Sequence, residues 1–179
     1  MKGSSVSNAS GTPLPTVRRF QAQEWALYRE LRLAALGDAP HAFGSTLARE
    51  EAFSEQEWIT RIVTGATSKL DFPMVVEDGT GRAVGLGWVR IEPADTRTAT
   101  LYQVWVRREA RREGIGLALL DAAVQWARTA GAGVMELHVA IGPASAIEFY
   151  RRAGFEDVGA CSPMRPGSEQ FQQPMRRLL

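Results

Sequence analysis

The chain has 179 residues, of which 45% are hydrophobic and 23% are charged, proportions typical of one soluble domain with a substantial core. A formal net charge of +1 does not favour proteins that bind nucleic acid through overall charge, so an anionic ligand has to be bound by local groups. The single cysteine, Cys161, excludes an internal disulfide framework and a cysteine-rich zinc site.

Residues 1–13 are rich in Ser, Gly, Asn and Pro, which predicts a disordered lead-in before a single domain over residues 14–179. The lead-in lacks the apolar stretch of a secretion signal, and no run of about 18 apolar residues occurs in the chain. We therefore expect a cytoplasmic protein that does not bind membranes, and the lone cysteine agrees with a reducing compartment.

The first part of the domain predicts a strand and two helices. The strand begins near Thr16, and a helix follows that ends around Gly37. A second helix opens at Ser54, with Glu57 three residues later as a capping box. The apolar face expected for the first helix comprises Trp25, Tyr28, Leu31 and Ala35.

Strands are then predicted over FPMVVED, RAVGLGWVRIE and TATLYQVWV, the first two as a hairpin. A long helix begins near Gly114 and is closed by Gly131, and the strand VMELHVA follows. A shorter helix with Pro143 in its first turn precedes the last strand candidates, FEDVGA and QQPMRRL. The order β-α-α-β-β-β-α-β-α-β-β predicts one α/β (or α+β) domain, a mixed sheet with helices on its faces.

A segment with two glycines, RREGIG at residues 111–116, lies where the third strand of this series leads into the long helix. The first turn of a helix has unpaired amide groups and a partial positive charge, which favour an anion. Gly114 and Gly116 lack Cβ atoms, so a phosphate can approach their backbone closely. Local cationic charge comes from Arg107, Arg108, Arg111 and Arg112. The segment predicts an anion site, with an arginine-rich surface loop as the alternative.

The spacing excludes two common phosphate-binding motifs. The P-loop needs Lys and then Ser or Thr after its second glycine, whereas Leu117 and Ala118 follow Gly116. The dinucleotide fingerprint needs a third glycine where Leu119 stands. A pyrophosphate site of another kind remains.

The sequence resembles the GNAT superfamily of acyl-coenzyme-A-dependent N-acetyltransferases. RREGIG matches the family's R/Q-x-x-G-x-G/A motif through Arg111, Gly114 and Gly116. AIEFYRRAGF, residues 146–155, resembles the family's second segment, which ends in Tyr-x-x-x-Gly-Phe. The order of elements over residues 16–178 also agrees, so the resemblance covers nearly the whole chain. It implies a mixed, mostly antiparallel central sheet flanked by helices.

The resemblance also implies acetyl-CoA as cosubstrate, without a metal. The strand ending at Val106 would diverge from VMELHVA, and the pantetheine arm would bind backbone groups in that gap. The pyrophosphate would bind the amides from Arg111 to Leu117. The implied coenzyme-binding residues are Val104, Trp105, Val106, Arg111, Arg112, Glu113, Gly114, Ile115, Gly116 and Leu117.

Acetyl transfer to an amine requires a neutral nucleophile, a donor for the oxyanion and a proton for the departing thiolate. The resemblance assigns the last step to Tyr150 as general acid; the alternative is a tyrosine of the core. Thr100 stands where the family often has a basic Glu, and Pro143 stands where it often has Asn. The candidates for the base are therefore open: Glu92, Glu50, Glu51, His138 or an ordered water. His41 and His138 are each more often structural in such positions.

The predicted acceptor walls are GDAPHAFGSTLAREE and SPMRPGSEQF, which lie outside the coenzyme motifs. Their carboxylates would attract a cationic amine or would form a solvated face. The residues concerned are Asp38, Glu50, Glu51 and Glu55, and the strand aromatics Trp88, Tyr102 and Trp105 are candidates for the pocket or the core.

We therefore expect an N-acetyltransferase that transfers acetyl from acetyl-CoA to a primary amine by direct attack in a ternary complex. The acceptor is a small molecule or a protein amine, and a homodimer is left open. The alternative is a non-catalytic acyl-CoA-binding sensor, which Thr100 at the expected base position motivates. The even charge disfavours a third class, an anion-binding module that uses the arginine loop on nucleic acid.

Overall fold

The computed structural model describes residues 14–142 and 145–179, which form one eight-stranded sheet with helices on both faces. The strands are β1 (Thr16–Arg19), β2 (Asp71–Glu77), β3 (Ala83–Glu92), β4 (Asp95–Val106), β5 (Val134–Ala140), β6 (Glu156–Asp157), β7 (Ser162–Pro163) and β8 (Phe171–Leu178). The helices are α1 (Trp25–Asp38), α2 (Leu47–Glu51), α3 (Glu55–Thr67), α4 (Ile115–Thr129) and α5 (Ser145–Arg152), with a 3₁₀ turn at Arg108–Ala110.

The strands follow the order β1-β2-β3-β4-β5-β8-β6, and β7 pairs with β8. Every pair is antiparallel except β4 and β5, which are parallel. The parallel pair is connected by α4, as a parallel crossover requires. The predicted mixed, mostly antiparallel sheet with flanking helices is therefore confirmed.

Two hydrophobic cores cover the two faces of the sheet. On β2, Met74 and Val76 belong to the core beneath α4, whereas Val75 between them belongs to the core beneath α1 and α3. This alternation follows from the period of two in a strand. On the predicted face of α1, Tyr28, Leu31 and Ala35 are fully buried, and Trp25 is half-buried.

The predicted starts of α3 and α4 are confirmed, whereas the short elements α2 and β7 and the 3₁₀ turn at Arg108–Ala110 were not predicted. Ser54 and Glu57 form the reciprocal capping box of α3. The segment predicted as one loop after Gly37 contains α2, whose first turn is capped by the Thr46 hydroxyl. Its five residues are too few to show a helical period. In the same way, β7 has only two residues within a segment predicted to be a loop.

The predicted strand FEDVGA is shorter than expected, because only Glu156–Asp157 pairs with β8. The amide of Val158 still donates to the carbonyl of Pro174 at 2.9 Å. At Gly159 the backbone enters the left-handed region, with φ of 66°, and leaves the sheet.

Strands β4 and β5 separate towards their C-terminal ends. Their register begins at Thr98 opposite Val134 and ends at Leu101 opposite Leu137, although both strands continue. Gln103, just beyond the last pair, has a φ of 59° and interrupts the register of β4 with β3. The divergence implied by the family resemblance is thus present, and it opens the sheet between two neighbouring strands.

The predicted lead-in over residues 1–13 and Pro143 lie outside the described residues. None of the helices within the described ranges has the length and apolar composition needed to cross a bilayer.

Candidate active site

The RREGIG segment presents a row of free amide groups at the start of α4. Gly114 is the N-cap, with φ of 79°, and no side chain caps the helix. Arg112 also has a positive φ, of 68°. Within the described part of the chain, no backbone amide from Arg112 to Leu117 donates a hydrogen bond. Such amides at a helix N-terminus form a site for an anion.

The glycines of this segment have different roles. Gly114 is required by its left-handed backbone, which an L side chain adopts only with strain. A Cβ at Gly116 would lie 3.7 Å from the Phe149 ring, an ordinary contact, so the fold itself does not require that glycine. Ile115 is buried in the core and anchors α4, so only its amide is available to a ligand. Leu117 and Glu113 are exposed.

The Arg111 side chain is 42% exposed, and its guanidinium turns back onto the strand end. Its Nε donates to the carbonyl of Val106 at 2.9 Å, and its Nη2 forms an ion pair with Asp38. Asp38 also accepts from Arg108 at 3.1 Å and from the indole of Trp105 at 2.9 Å. Burial raises the pKa of Asp38, but these three donors outweigh it and the pKa lies below its ordinary value.

The strand end contributes backbone rather than side chains. Trp105 is 7% exposed and packs in the core beneath α1 and α3. Val104 packs against the opposite core, beneath α4. Because β5 has diverged, the edge of β4 over residues 104–106 has no strand partner on that side.

A cleft of about 850 Å³ opens where β4 and β5 diverge. One wall consists of Asp38, the last residue of α1, and residues 39–44 after it, and another is formed around Met164, Gln170 and Gln172. Both segments were predicted as acceptor walls, and the structure brings them to the same cleft. The two loops touch, since a Cβ at Gly44 would lie 3.4 Å from the carbonyl oxygen of Met164.

Tyr150 lines this cleft from α5. Its ring packs edge-on against Phe149 and Phe155, at centroid distances of 5.1 and 5.7 Å. Burial raises the pKa of Tyr150 above its ordinary value, so the phenol stays protonated at neutral pH. Its hydroxyl has no partner among the described residues, unlike that of Tyr28, which donates to Gln103 at 3.0 Å.

Comparison with known proteins assigns most of the chain to one family. The model of the acetyltransferase (GNAT) family matches residues 25–155 of the chain, which include α1, the β4–β5 gap, the RREGIG segment and Tyr150. The chain belongs to the GNAT acetyltransferase family.

Curated relatives of this GNAT protein are acetyltransferases with different names. The chain is 31% identical over 102 residues to a mycothiol acetyltransferase of Propionibacterium freudenreichii, over 54% of this chain and 32% of the relative. It is 32% identical over 99 residues to an L-methionine sulfoximine/L-methionine sulfone acetyltransferase of Pseudomonas paraeruginosa, over 52% and 56% of the two chains. The chain spans only 26% to 32% of the length of the first curated relatives that it matches.

Among solved structures, the GNAT chain is similar to a spermidine N-acetyltransferase from Vibrio cholerae, a structure in complex with CoA and spermine. The TM-score is 0.73 with 18% identity, over 92% of this chain and 95% of the other. At that identity the similarity shows a shared fold.

The structure separates the candidates for the base. Thr100 and His138 line the cleft, as does His41. Glu92 lies at the far end of β3, opposite Asp95. Glu51 and Glu55 are exposed and do not line the cleft. Of the predicted candidates, His138 or a water remains in the cleft, and the structure adds His41, which the sequence did not suggest as a base.

Glu50 corrects two sequence hypotheses, because it is neither a free base nor a free anion. It is 2% exposed, and both its oxygens bind Arg32, at 2.8 and 3.0 Å. Arg61 binds the same carboxylate at 3.2 Å. Burial raises the pKa of Glu50, but the arginines outweigh it and the net shift is downward.

Arg32 is a buried, charged residue of the cleft that the sequence interpretation missed. It is 3% exposed, lines the cleft and packs its guanidinium 4.8 Å from the centre of the Phe43 ring. A signal was present, since Arg32 follows Tyr28 by four residues and therefore falls on the face of α1 that the pattern predicts to be buried.

The remaining aromatic candidates divide between core and cleft. Trp88 and Trp105 are core residues, and Tyr102 lines the cleft. No group of three or more His, Cys, Asp or Glu side chains placed to hold a metal ion occurs in residues 14–142 and 145–179.

Proposed function

We propose that this chain is an acetyl-CoA-dependent N-acetyltransferase that acetylates a primary amine by direct attack in a ternary complex. The observation that carries the proposal is the row of unpaired amides over residues 112–117, which lies beside the open edge of β4. One arrangement thus offers an anion site and an unfilled strand position. The fold shared with a relative solved with CoA supports the same ligand.

In this proposal the pyrophosphate binds the amides of the RREGIG segment, and the pantetheine arm follows the backbone of residues 104–106. Arg111 exchanges its ion pair with Asp38 for a phosphate oxygen, because a guanidinium pairs with either anion in the same geometry. The side chain of Trp105 stays in the core. The coenzyme contacts are then mostly main-chain, so local backbone conformation decides binding.

The chemistry needs few side chains. The nitrogen lone pair of a neutral amine attacks the thioester carbonyl, and a backbone amide at the strand gap stabilises the oxyanion. As the tetrahedral species collapses, the carbon–sulfur bond breaks and the thiolate accepts the proton of Tyr150. The amine proton leaves to a histidine of the cleft or to water. No covalent intermediate with the protein forms.

A non-catalytic acyl-CoA sensor is the second candidate, favoured by one observation. Thr100 lines the cleft at the position where the family often has Glu, and it cannot accept a proton as a base. A sensor would bind acetyl-CoA and never release CoA thiol when amines are added. Measuring thiol release from acetyl-CoA across a panel of primary amines separates the two candidates. If no amine causes thiol release although the protein binds the coenzyme, the result supports the sensor.

Coenzyme binding at the RREGIG segment is tested by Gly116→Val. The fold tolerates a Cβ here, but the added methyl groups crowd the amides where the phosphate binds. We expect the Kd for CoA in a calorimetric titration to rise at least about tenfold, or about 1.4 kcal/mol, with an unchanged melting temperature. The control is Gln125→Val, which places the same side chain at an exposed position of α4 outside the segment and should keep the affinity. Equal CoA affinity in Gly116→Val and the original chain would place the coenzyme elsewhere.

A further inference from the structure

We propose that Arg32 binds an anionic group of the acceptor, so that the substrate class is primary amines that also carry a carboxylate, as α-amino acids do. The inference rests on the proposed acetyltransferase function and names the acceptor of the same cleft. Three observations lead to it: an unsatisfied donor, the net charge around that donor, and the pairing of the carboxylates in the cleft.

The unsatisfied donor is Nη1 of Arg32. The Nε and Nη2 atoms of the same guanidinium bind Glu50, whereas Nη1 is buried and has no acceptor among the described residues. A buried donor without a partner costs about 1–3 kcal/mol, and more on a charged group. A carboxylate oxygen is the acceptor that a guanidinium prefers.

Charge around Arg32 is unbalanced in favour of an anion. One carboxylate, Glu50, serves two guanidinium groups, because Arg61 binds it from the other side. The three groups together carry one positive charge. Arg61 is 34% exposed and partly hydrated, while Arg32 is almost fully enclosed and lines the cleft. An anion bound in the cleft beside Arg32 would neutralise this remaining positive charge.

The cleft has no comparable anionic site for a polycationic acceptor among the described residues. Asp38 is the only Asp or Glu that lines it within the described residues, and Arg108 and the Trp105 indole bind its oxygens even when Arg111 turns to a phosphate. Before the coenzyme binds, two arginines of the lining, Arg32 and Arg111, face this one carboxylate. An acceptor with a carboxylate therefore complements the cleft, and a polyamine does not.

Phe43 controls access to the donor. Its ring lies over the guanidinium, and it belongs to residues 39–46, which connect α1 to α2 without regular structure. A displacement of this segment would expose Nη1 to a ligand oxygen. The acceptor amine would then face the β4–β5 gap, where the thioester is placed by the proposed function.

The test compares acceptors that differ only in the anionic group. Acetyl transfer is measured for a set of L-α-amino acids with apolar, polar and acidic side chains, each beside its carboxamide, at equal concentrations of neutral amine. We expect kcat/KM to be at least about 100-fold higher for the acid of a preferred pair, because the amide leaves the charged donor unpaired. Similar values for acid and amide across the set overturn the inference and leave the acetyltransferase proposal intact.

The single variant Arg32→Gln would leave the buried carboxylate of Glu50 without its main partner and would destabilise the fold. Both charges are therefore removed in one double variant, Arg32→Gln/Glu50→Gln. In this double variant the acid-over-amide preference should fall below about threefold, with an unchanged KM for acetyl-CoA. The control is Arg82→Gln, which removes an exposed arginine that neither lines the cleft nor binds Glu50 and should keep the preference. A double variant that folds and keeps the preference overturns the inference.

A binding experiment distinguishes failure of the site from failure of the chemistry. The CoA-loaded protein is titrated with N-acetyl amino acids and with their amides. If no amine is acetylated, yet the acids bind at least about tenfold more tightly and the double variant loses that difference, the Arg32 site stands and the enzyme proposal falls. Equal binding of acids and amides overturns the site.

Discussion

At the scale of single residues, Tyr150 combines the properties that a proton donor in this cleft needs. It lines the cleft, burial raises its pKa and keeps it protonated, and its hydroxyl has no partner among the described residues. A tyrosine that served only the core could pack its ring equally well without the hydroxyl. The ring contacts with Phe149 and Phe155 are therefore distinct from the chemistry assigned to the oxygen.

The substitution Tyr150→Phe separates ring from oxygen. We expect kcat to fall about 100-fold, because a general acid contributes on this order, while the KM for acetyl-CoA and the melting temperature stay the same. Tyr102→Phe is the matched control: Tyr102 lines the same cleft and burial raises its pKa too, but it lies outside the motif that assigns the acid to Tyr150. Its kcat should change less than twofold. Full activity in Tyr150→Phe would show that Tyr150 serves only as a packing residue of the core.

At the scale of secondary-structure elements, the packing of α3 on the sheet depends on a glycine inside the helix. A Cβ at Gly65 would lie 2.2 Å from the Trp88 indole, which is closer than any real contact. Trp88 cannot easily move away, because its Nε1 donates to buried Asp71 at 2.8 Å and its ring packs against Tyr28. The glycine thus sets the distance between α3 and β3.

The substitution Gly65→Ala should destabilise the fold, although alanine is normally the better helix former by about 1 kcal/mol. We expect a loss of about 1–3 kcal/mol in the free energy of unfolding, measured by urea denaturation, because the core is overpacked. Gly37→Ala in α1 is the control, since its Cβ would only approach Leu47 to 3.9 Å. If Gly65→Ala and Gly37→Ala both stabilised the protein, the Trp88 indole would have to move aside to accommodate the new Cβ.

At the scale of the whole molecule, ion pairs tie distant parts of the chain together and make stability depend on pH. Arg18 on β1 binds Glu24 at the start of α1 and Glu77 at the end of β2. The hydrogen bonds from Arg18 are the largest reason that the pKa of Glu24 lies below its ordinary value. A carboxylate with a lowered pKa stabilises the fold above its unfolded pKa, and this contribution is lost as the pH falls through the folded value.

Stability should therefore decline below about pH 4.5, the ordinary value for glutamate, and Glu24→Gln should remove part of this decline. We expect the variant to cost about 1–2 kcal/mol in the free energy of unfolding at pH 7, with the difference shrinking as the pH approaches 2. Glu51→Gln changes an exposed glutamate and serves as the control. A cost of Glu24→Gln that is constant over this pH range would contradict the assignment.

The sequence predicted the elements that show a period or a cap, and it could not predict the contacts between distant segments. Gly114, Gly131 and the Ser54 capping box are local signals, and each stands where it was expected. The pairing of Asp38 with Arg111 joins residues 73 positions apart, which no local pattern reveals. Glu50 was misread for a related reason, since its charge suggested a surface and only the partner on α1 explains its burial.

The gap between β4 and β5 has one further consequence, for the order of events. The two strands share only the pairs from Thr98–Val134 to Leu101–Leu137. Beyond these pairs, the side of the cleft on which the acceptor would rest is open between the strands. A coenzyme bound in the gap would close this opening and complete the surface that contacts the acceptor. Bisubstrate kinetics should accordingly show a compulsory sequence, in which the nucleotide thioester enters first and the amine second.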